Sequence, residues 1–202
     1  MLSMIWEERM KKNSLITVGI TFLFGALFLL EGIFSFGKRE WKDLGLAVIG
    51  IFALTLPFIF SYLAKRVQLK IPSGFVLIGV IFIFLAQYLG EIKDFYEIFW
   101  WWDVLLHAVF GILAVLFALF VLTPELAPGE GRSKNRYHLF LALLSLTFSL
   151  AVSATWEIIE YFGDLLFSVH MVKGGLEDSM TDLTAGAVAA ALTAIIYYRL
   201  IR

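Results

Sequence analysis

The stretch Trp100-Trp101-Trp102-Asp103-Val-Leu-Leu-His107-Ala-Val-Phe-Gly111-Ile-Leu-Ala114-Val-Leu-Phe-Ala118-Leu-Phe-Val-Leu122 is apolar apart from one acid and one histidine. A helix needs ~20 largely apolar residues to cross the hydrocarbon core of a bilayer, so residues 100–122 read as a membrane span. The three tryptophans belong at the headgroup level, where an apolar ring with one N–H donor is best placed, and they mark one end of the span. Five more stretches have the same character, at about residues 14–36, 44–64, 73–90, 138–162 and 180–199. The expectation is an all-α integral membrane bundle of six transmembrane helices, forming a single domain over residues 1–202. The first span reads as a retained helix rather than a cleavable signal, because its apolar run is too long and no small-residue cleavage site follows.

Composition points the same way. Hydrophobic residues make up 60% of the chain and charged residues 16%. A soluble domain carries roughly 25% charged residues, so the partner of this apolar surface is the lipid bilayer. There are no cysteines, which removes disulfides, thiolate metal sites and cysteine nucleophiles. The net charge of −1 gives no reason to expect nucleic acid as a partner.

The connections are short and polar, the most loop-like running from Thr123 to Arg136. Within it, Gly129-Glu-Gly-Arg-Ser-Lys134 lacks the Gly-Lys-Ser/Thr order and the preceding strand of a phosphate-binding loop. With six spans both termini share a side. That side collects Arg9, Lys11, Lys12, Lys65, Arg66, Lys70, Arg132, Lys134, Arg136, Arg199 and Arg202, against Lys38, Arg39, Lys42, Lys93 and Lys173 on the other. The excess of bases predicts cytoplasmic N- and C-termini in a cell (inner or plasma) membrane. The outer side gathers most of the acids and should attract cations.

Some of those acids enter the spans. Asp103 and His107 are four apart and share a helix face, which Gly111, Ala114 and Ala118 continue as a small-residue stripe suited to close helix approach. In the fifth span Glu157, Glu160, Tyr161 and Asp164 follow three- and four-residue spacing, with Ser149 and Ser153 extending the stripe inward. If that span ends near residue 162, its acids meet the negative end of the helix dipole and need a compensating cation, proton or base. The sixth span brings Asp178 and Asp182, four apart, followed by Ala185, Gly186, Ala189 and Ala190. Ser179 with Asp182 has the spacing of a capping box, and a helix N-terminus also accounts for Asp103. Glu31 and Gln87 lie near the outer ends of their own spans, where either could line the same cavity. His138 and His170 read as interface histidines.

Three helices thus carry acids to one interface. Carboxylates and imidazole from facing helices are how bundles build metal sites. The expected ligands are Asp103, His107, Glu157 and Asp182, around one divalent ion such as Zn²⁺, Mn²⁺, Mg²⁺ or Ca²⁺. Glu160 and Asp178 are the candidate catalytic bases.

The motifs Asp103-x-x-x-His107-x-x-x-Gly111, Trp156-Glu157-x-x-Glu160 and Asp178-Ser-x-x-Asp182-Leu-x-x-Gly186 resemble the YjdF-like family of small prokaryotic inner-membrane proteins. More distantly, the Glu followed by a paired-Asp, Gly/Ala-rich last helix is similar to VanZ-like proteins. The resemblance covers mainly residues 94–190 and implies a membrane location and a choice of residues rather than a reaction. Three function classes follow. One is a cation-dependent enzyme acting on a lipid or lipid-linked envelope precursor. Another is a transporter or binding protein for a cation, a proton-coupled solute or a lipid. The third is an accessory subunit whose polar cluster locks helix register. Six spans without a clear repeat weigh against a large alternating-access carrier, and no hydrolase nucleophile motif is present.

Overall fold

A computed structural model describes residues 2–126, 133–167, 172 and 174–201, every one of its secondary-structure elements being helical. The helices are α1 (Leu2–Lys38), α2 (Trp41–Ala53), α3 (Leu56–Arg66), α4 (Ser73–Ile83), a π-helical stretch (Phe84–Ile92), α5 (Phe95–Ile98), α6 (Trp102–Glu125), α7 (Lys134–Phe167) and α8 (Leu176–Ile201). Six segments are long and apolar enough to cross a membrane: Ser14–Lys38, Trp41–Arg66, Ser73–Ile92, Trp102–Pro124, Lys134–Leu166 and Leu176–Ile201. These are the six expected from apolar run length, most of them reaching a few residues further at their ends.

The helices fall into two compact units, residues 1–99 and 100–202. In the first, Phe28 is fully buried and its ring lies against Gly50, where any Cβ would collide with it. Ala47, Leu54, Val80 and Ile92 complete that core, and Phe24 stacks on Phe84 at 3.9 Å between ring centroids. The second span is broken between α2 and α3 because Pro57, at the start of α3, has no N–H to give the carbonyl of Ala53. The Thr55 hydroxyl donates instead to the Phe52 carbonyl at 2.6 Å, and the Pro57 ring packs against Gly79. The third span ends in π-helix, the Lys93 amide still reaching back five residues to the Tyr88 carbonyl at 3.0 Å. There the Lys93 ammonium meets the Glu31 carboxylate at 2.6 Å.

The second unit is α6, α7 and α8. Val115, Leu119, Leu141, Ala142, Ala190 and Ala194 form its apolar core. The expected small-residue stripes are where α6 and α8 touch: a Cβ on Gly111 would run into the carbonyl of Gly186. Ser149 on α7 closes the junction, donating to the Gly111 carbonyl at 3.1 Å. At the far end Tyr137 donates to the Thr123 carbonyl at 2.9 Å, and His138 Nδ1 and the Tyr197 hydroxyl share a hydrogen bond at 3.1 Å. His170, expected at an interface, lies outside the described residues.

Two helix boundaries alter the reasoning about the acids. Because α7 runs on to Phe167, Glu157 stands nearly three turns before its end. The dipole effect fades within the last turn, so it does not penalise Glu157; burial does. Because α8 starts at Leu176, Ser179 and Asp182 lie inside the helix and form no capping box. Asp182 stands in the second turn, and Glu177 and Asp178 occupy the first.

Candidate cation site

Each functional side chain is set by its helix. Asp103 is in the first turn of α6, where the dipole favours a carboxylate, and His107 follows one turn deeper. Gly186 allows α8 to lie against the His107 backbone, a Cβ there being 3.3 Å from the His107 carbonyl oxygen and 3.5 Å from Ser153 Oγ. This close approach carries Asp182, one turn earlier on α8, toward the imidazole. From α7, Ser145, Ser149, Ser153 and Glu157 form one buried row at four-residue intervals.

The outcome is an imidazole with a carboxylate at each nitrogen. His107 Nε2 lies 3.4 Å from Asp103 Oδ1, and Nδ1 lies 3.5 Å from Glu157 Oε1. His107, Glu157 and Asp182 are 8%, 7% and 4% exposed, so three ionisable groups are withdrawn from solvent together. Glu157 Oε1 is wholly buried and accepts no hydrogen bond. A buried carboxylate oxygen left in that condition is costly, which marks the position as one that awaits a partner. Among the described residues, ligand atoms of Asp103, His107 and Asp182 lie within 4.8 Å of one another, as do those of His107, Glu157 and Glu160. His107 belongs to both groupings.

The remaining predicted residues divide. Glu160 joins the cluster at its half-buried edge, one oxygen receiving the Trp156 indole N–H at 2.7 Å. Their spacing of four carried this contact in the sequence, although Trp156 offered no reason to be singled out. Asp178 is half-buried near the start of α8, against Gly174. Tyr161 turns outward at 59% exposure, and Asp164 accepts the Val172 N–H at 2.8 Å, so neither belongs to the groupings. Trp100 is exposed as expected of a headgroup anchor, whereas Trp102 points inward. Glu31 is engaged by Lys93 in the first unit, and Gln87 is half-buried in the π-helical stretch.

Residues 16–202 match the family described as "Predicted membrane protein (DUF2238)". The chain belongs to this family. A Thermotoga maritima protein described as an uncharacterized protein is similar to it, 27% identical over 202 residues that cover 97% of this chain and 94% of the relative. Neither description carries the YjdF or VanZ name or attaches a reaction. No solved structure matches the chain. With its six spans, the protein is a multi-pass membrane protein whose helices meet lipid.

Proposed function

We propose that Asp103, His107 and Asp182 hold one divalent cation, and that the protein uses it on a lipid or lipid-linked substrate at the outer face of the membrane. The observation that carries this reading is the trio His107, Glu157 and Asp182, more than nine-tenths buried, with Glu157 Oε1 lacking any hydrogen bond. Ionisable groups inside a membrane bundle are rare and usually line an ion or substrate path. Several carboxylates around a single imidazole leave an excess of negative charge, and a divalent cation compensates it directly. Three protein ligands would leave a coordination position open, the pattern of catalytic rather than closed structural sites.

The bound cation would polarise a phosphoryl or ester oxygen. Glu160, at the edge of the cluster and steadied by the Trp156 indole, is the general base of this reading. Asp178, half-buried near the start of α8, is the outlying alternative. The surplus of bases near Arg9, Lys65, Arg66, Arg136 and Arg199 supports cytoplasmic termini, which sets the cluster toward the outer leaflet. Its depth fits a headgroup substrate, because Asp103 follows directly on the tryptophans and His107 lies about 6 Å further along the helix.

The test is metal analysis of the purified full-length protein beside a His107→Ala/Asp182→Asn double variant. The wild type should retain close to one divalent ion per chain and the variant almost none. Equal, negligible content in both would sink the cation reading.

A further inference from the structure

The structure assigns Glu157 a role apart from the ligands: we infer that it accepts the Nδ1–H of His107 and so fixes the tautomer that turns Nε2 toward Asp103 and Asp182. This rests on the cation reading above and specifies how its one imidazole is held.

A neutral imidazole carries one proton, so one ring nitrogen can ligate and the other must donate. The surroundings decide which. On the Nε2 side stand Asp103 Oδ1 at 3.4 Å and the Asp182 carboxylate, both within the 4.8 Å grouping. Asp103 has a side chain 29% exposed, so water or substrate can reach this side. On the Nδ1 side stands Glu157 Oε1 at 3.5 Å, wholly buried and without a hydrogen bond. A buried carboxylate oxygen needs a donor, and Nδ1–H supplies one on closing by about half an ångström into the N–H···O range. A cation on Nε2 would draw electron density from the ring, strengthen that donor and favour the closure. Glu157 cannot share a cation with Asp103 and Asp182 as they stand, because the four fall into two groupings joined only by His107. The competing position, Nδ1 with Glu157 and Glu160, is disfavoured because the Trp156 indole already occupies Glu160 Oε1.

Ligating histidines generally need such a carboxylate or carbonyl behind them, and losing it weakens metal affinity by about 10- to 100-fold. Glu157 is therefore a positioning residue, and its variants should separate from those of a ligand. Zn²⁺ titration of the full chain in detergent is expected to give one ion per chain. Glu157→Gln, whose carbonyl still accepts Nδ1–H, should stay within a few-fold of wild type, while Glu157→Leu falls by about 10- to 100-fold. Asp182→Asn should fall further than Glu157→Gln. ¹⁵N spectra of the His107 ring should report the Nδ1–H tautomer in wild type and Glu157→Gln, with or without Zn²⁺.

If Glu157→Gln loses as much affinity as Asp182→Asn, Glu157 is a ligand and the assignment falls. Two Zn²⁺ per chain, one of them lost on Glu160→Gln, would overturn it too. Should wild type bind no Zn²⁺, the cation reading is what fails. The ring spectra then judge Glu157 by themselves: an Nε2–H tautomer or a mixture in wild type refutes its role. Should Glu157→Leu not fold, the Gln variant and the wild-type spectra decide.

Discussion

At Gly111 the chain needs a residue without a side chain, because the Gly186 carbonyl occupies the place of a Cβ. Gly111→Ala should force α6 and α8 apart and cost roughly 1–3 kcal/mol, read as a lower unfolding temperature in detergent. Gly186→Ala meets the His107 carbonyl at 3.3 Å, a contact that a shift of a few tenths of an ångström relieves. It should therefore disturb the cluster more than the fold, lowering cation affinity at nearly unchanged unfolding temperature. In the first unit the Glu31 carboxylate, by accepting the Lys93 N–H at 2.6 Å, holds the lysine above its ordinary 10.5. A lysine raised on folding stabilises fully below its unfolded value and loses that contribution as pH climbs through the folded one. Lys93→Met should thus lower stability at neutral pH by no more than about 1 kcal/mol, the pair being part-exposed. The difference from wild type should narrow only above pH 10.5, which chemical unfolding across pH would check. The acids and His107 were legible as residues because each breaks an apolar run. Which of Glu157, Glu160, Tyr161 and Asp164 face inward was not, since three- and four-residue steps spread them over a wide sector of α7.

At the scale of the helix, the existence of each span followed from the length of its apolar run, and its ends did not. Polar residues such as Lys134 and Glu177 look like loop yet continue α7 and α8, because helix ends can extend beyond hydrocarbon into the wet interface. That extension removes two explanations drawn from the sequence, the dipole penalty on Glu157 and the cap at Ser179. Burial takes their place, and burial comes from neighbouring helices that one chain's periodicity cannot display. The same holds at the opposite end of the second unit, where His138 on α7 meets Tyr197 on α8 at 3.1 Å. Tyr197→Phe should remove this tie at about 0.5–1.5 kcal/mol while leaving cation binding intact. Thermal unfolding and Zn²⁺ titration of that variant would check both parts.

For the molecule as a whole, bilayer thickness is the constraint that makes the fold readable. Six apolar runs of sufficient length leave few other solutions, and the family match over residues 16–202 agrees. Break points inside spans, at Pro57 and after Ile83, change the path of a helix without changing its hydrophobicity, which is why run length alone misses the second of them. The proposed orientation has its own measurement. A reporter fused after Arg202 should be active only in the cytoplasm, and one placed between Lys38 and Trp41 only outside; the reverse pattern would refute it.

The π-helical stretch at Phe84–Ile92 bears on how the sequence can drift. A wide turn is the signature of a helix holding a residue more than regular winding accommodates. Deleting one residue there would let the stretch tighten to ordinary helix and turn everything beyond it by about 100°. Lys93 would swing away from Glu31, and the Tyr96 ring would leave its seat on Gly90. Length changes in this segment should therefore be rare among descendants of the gene, and where one occurs, positions 31 and 90 should change with it.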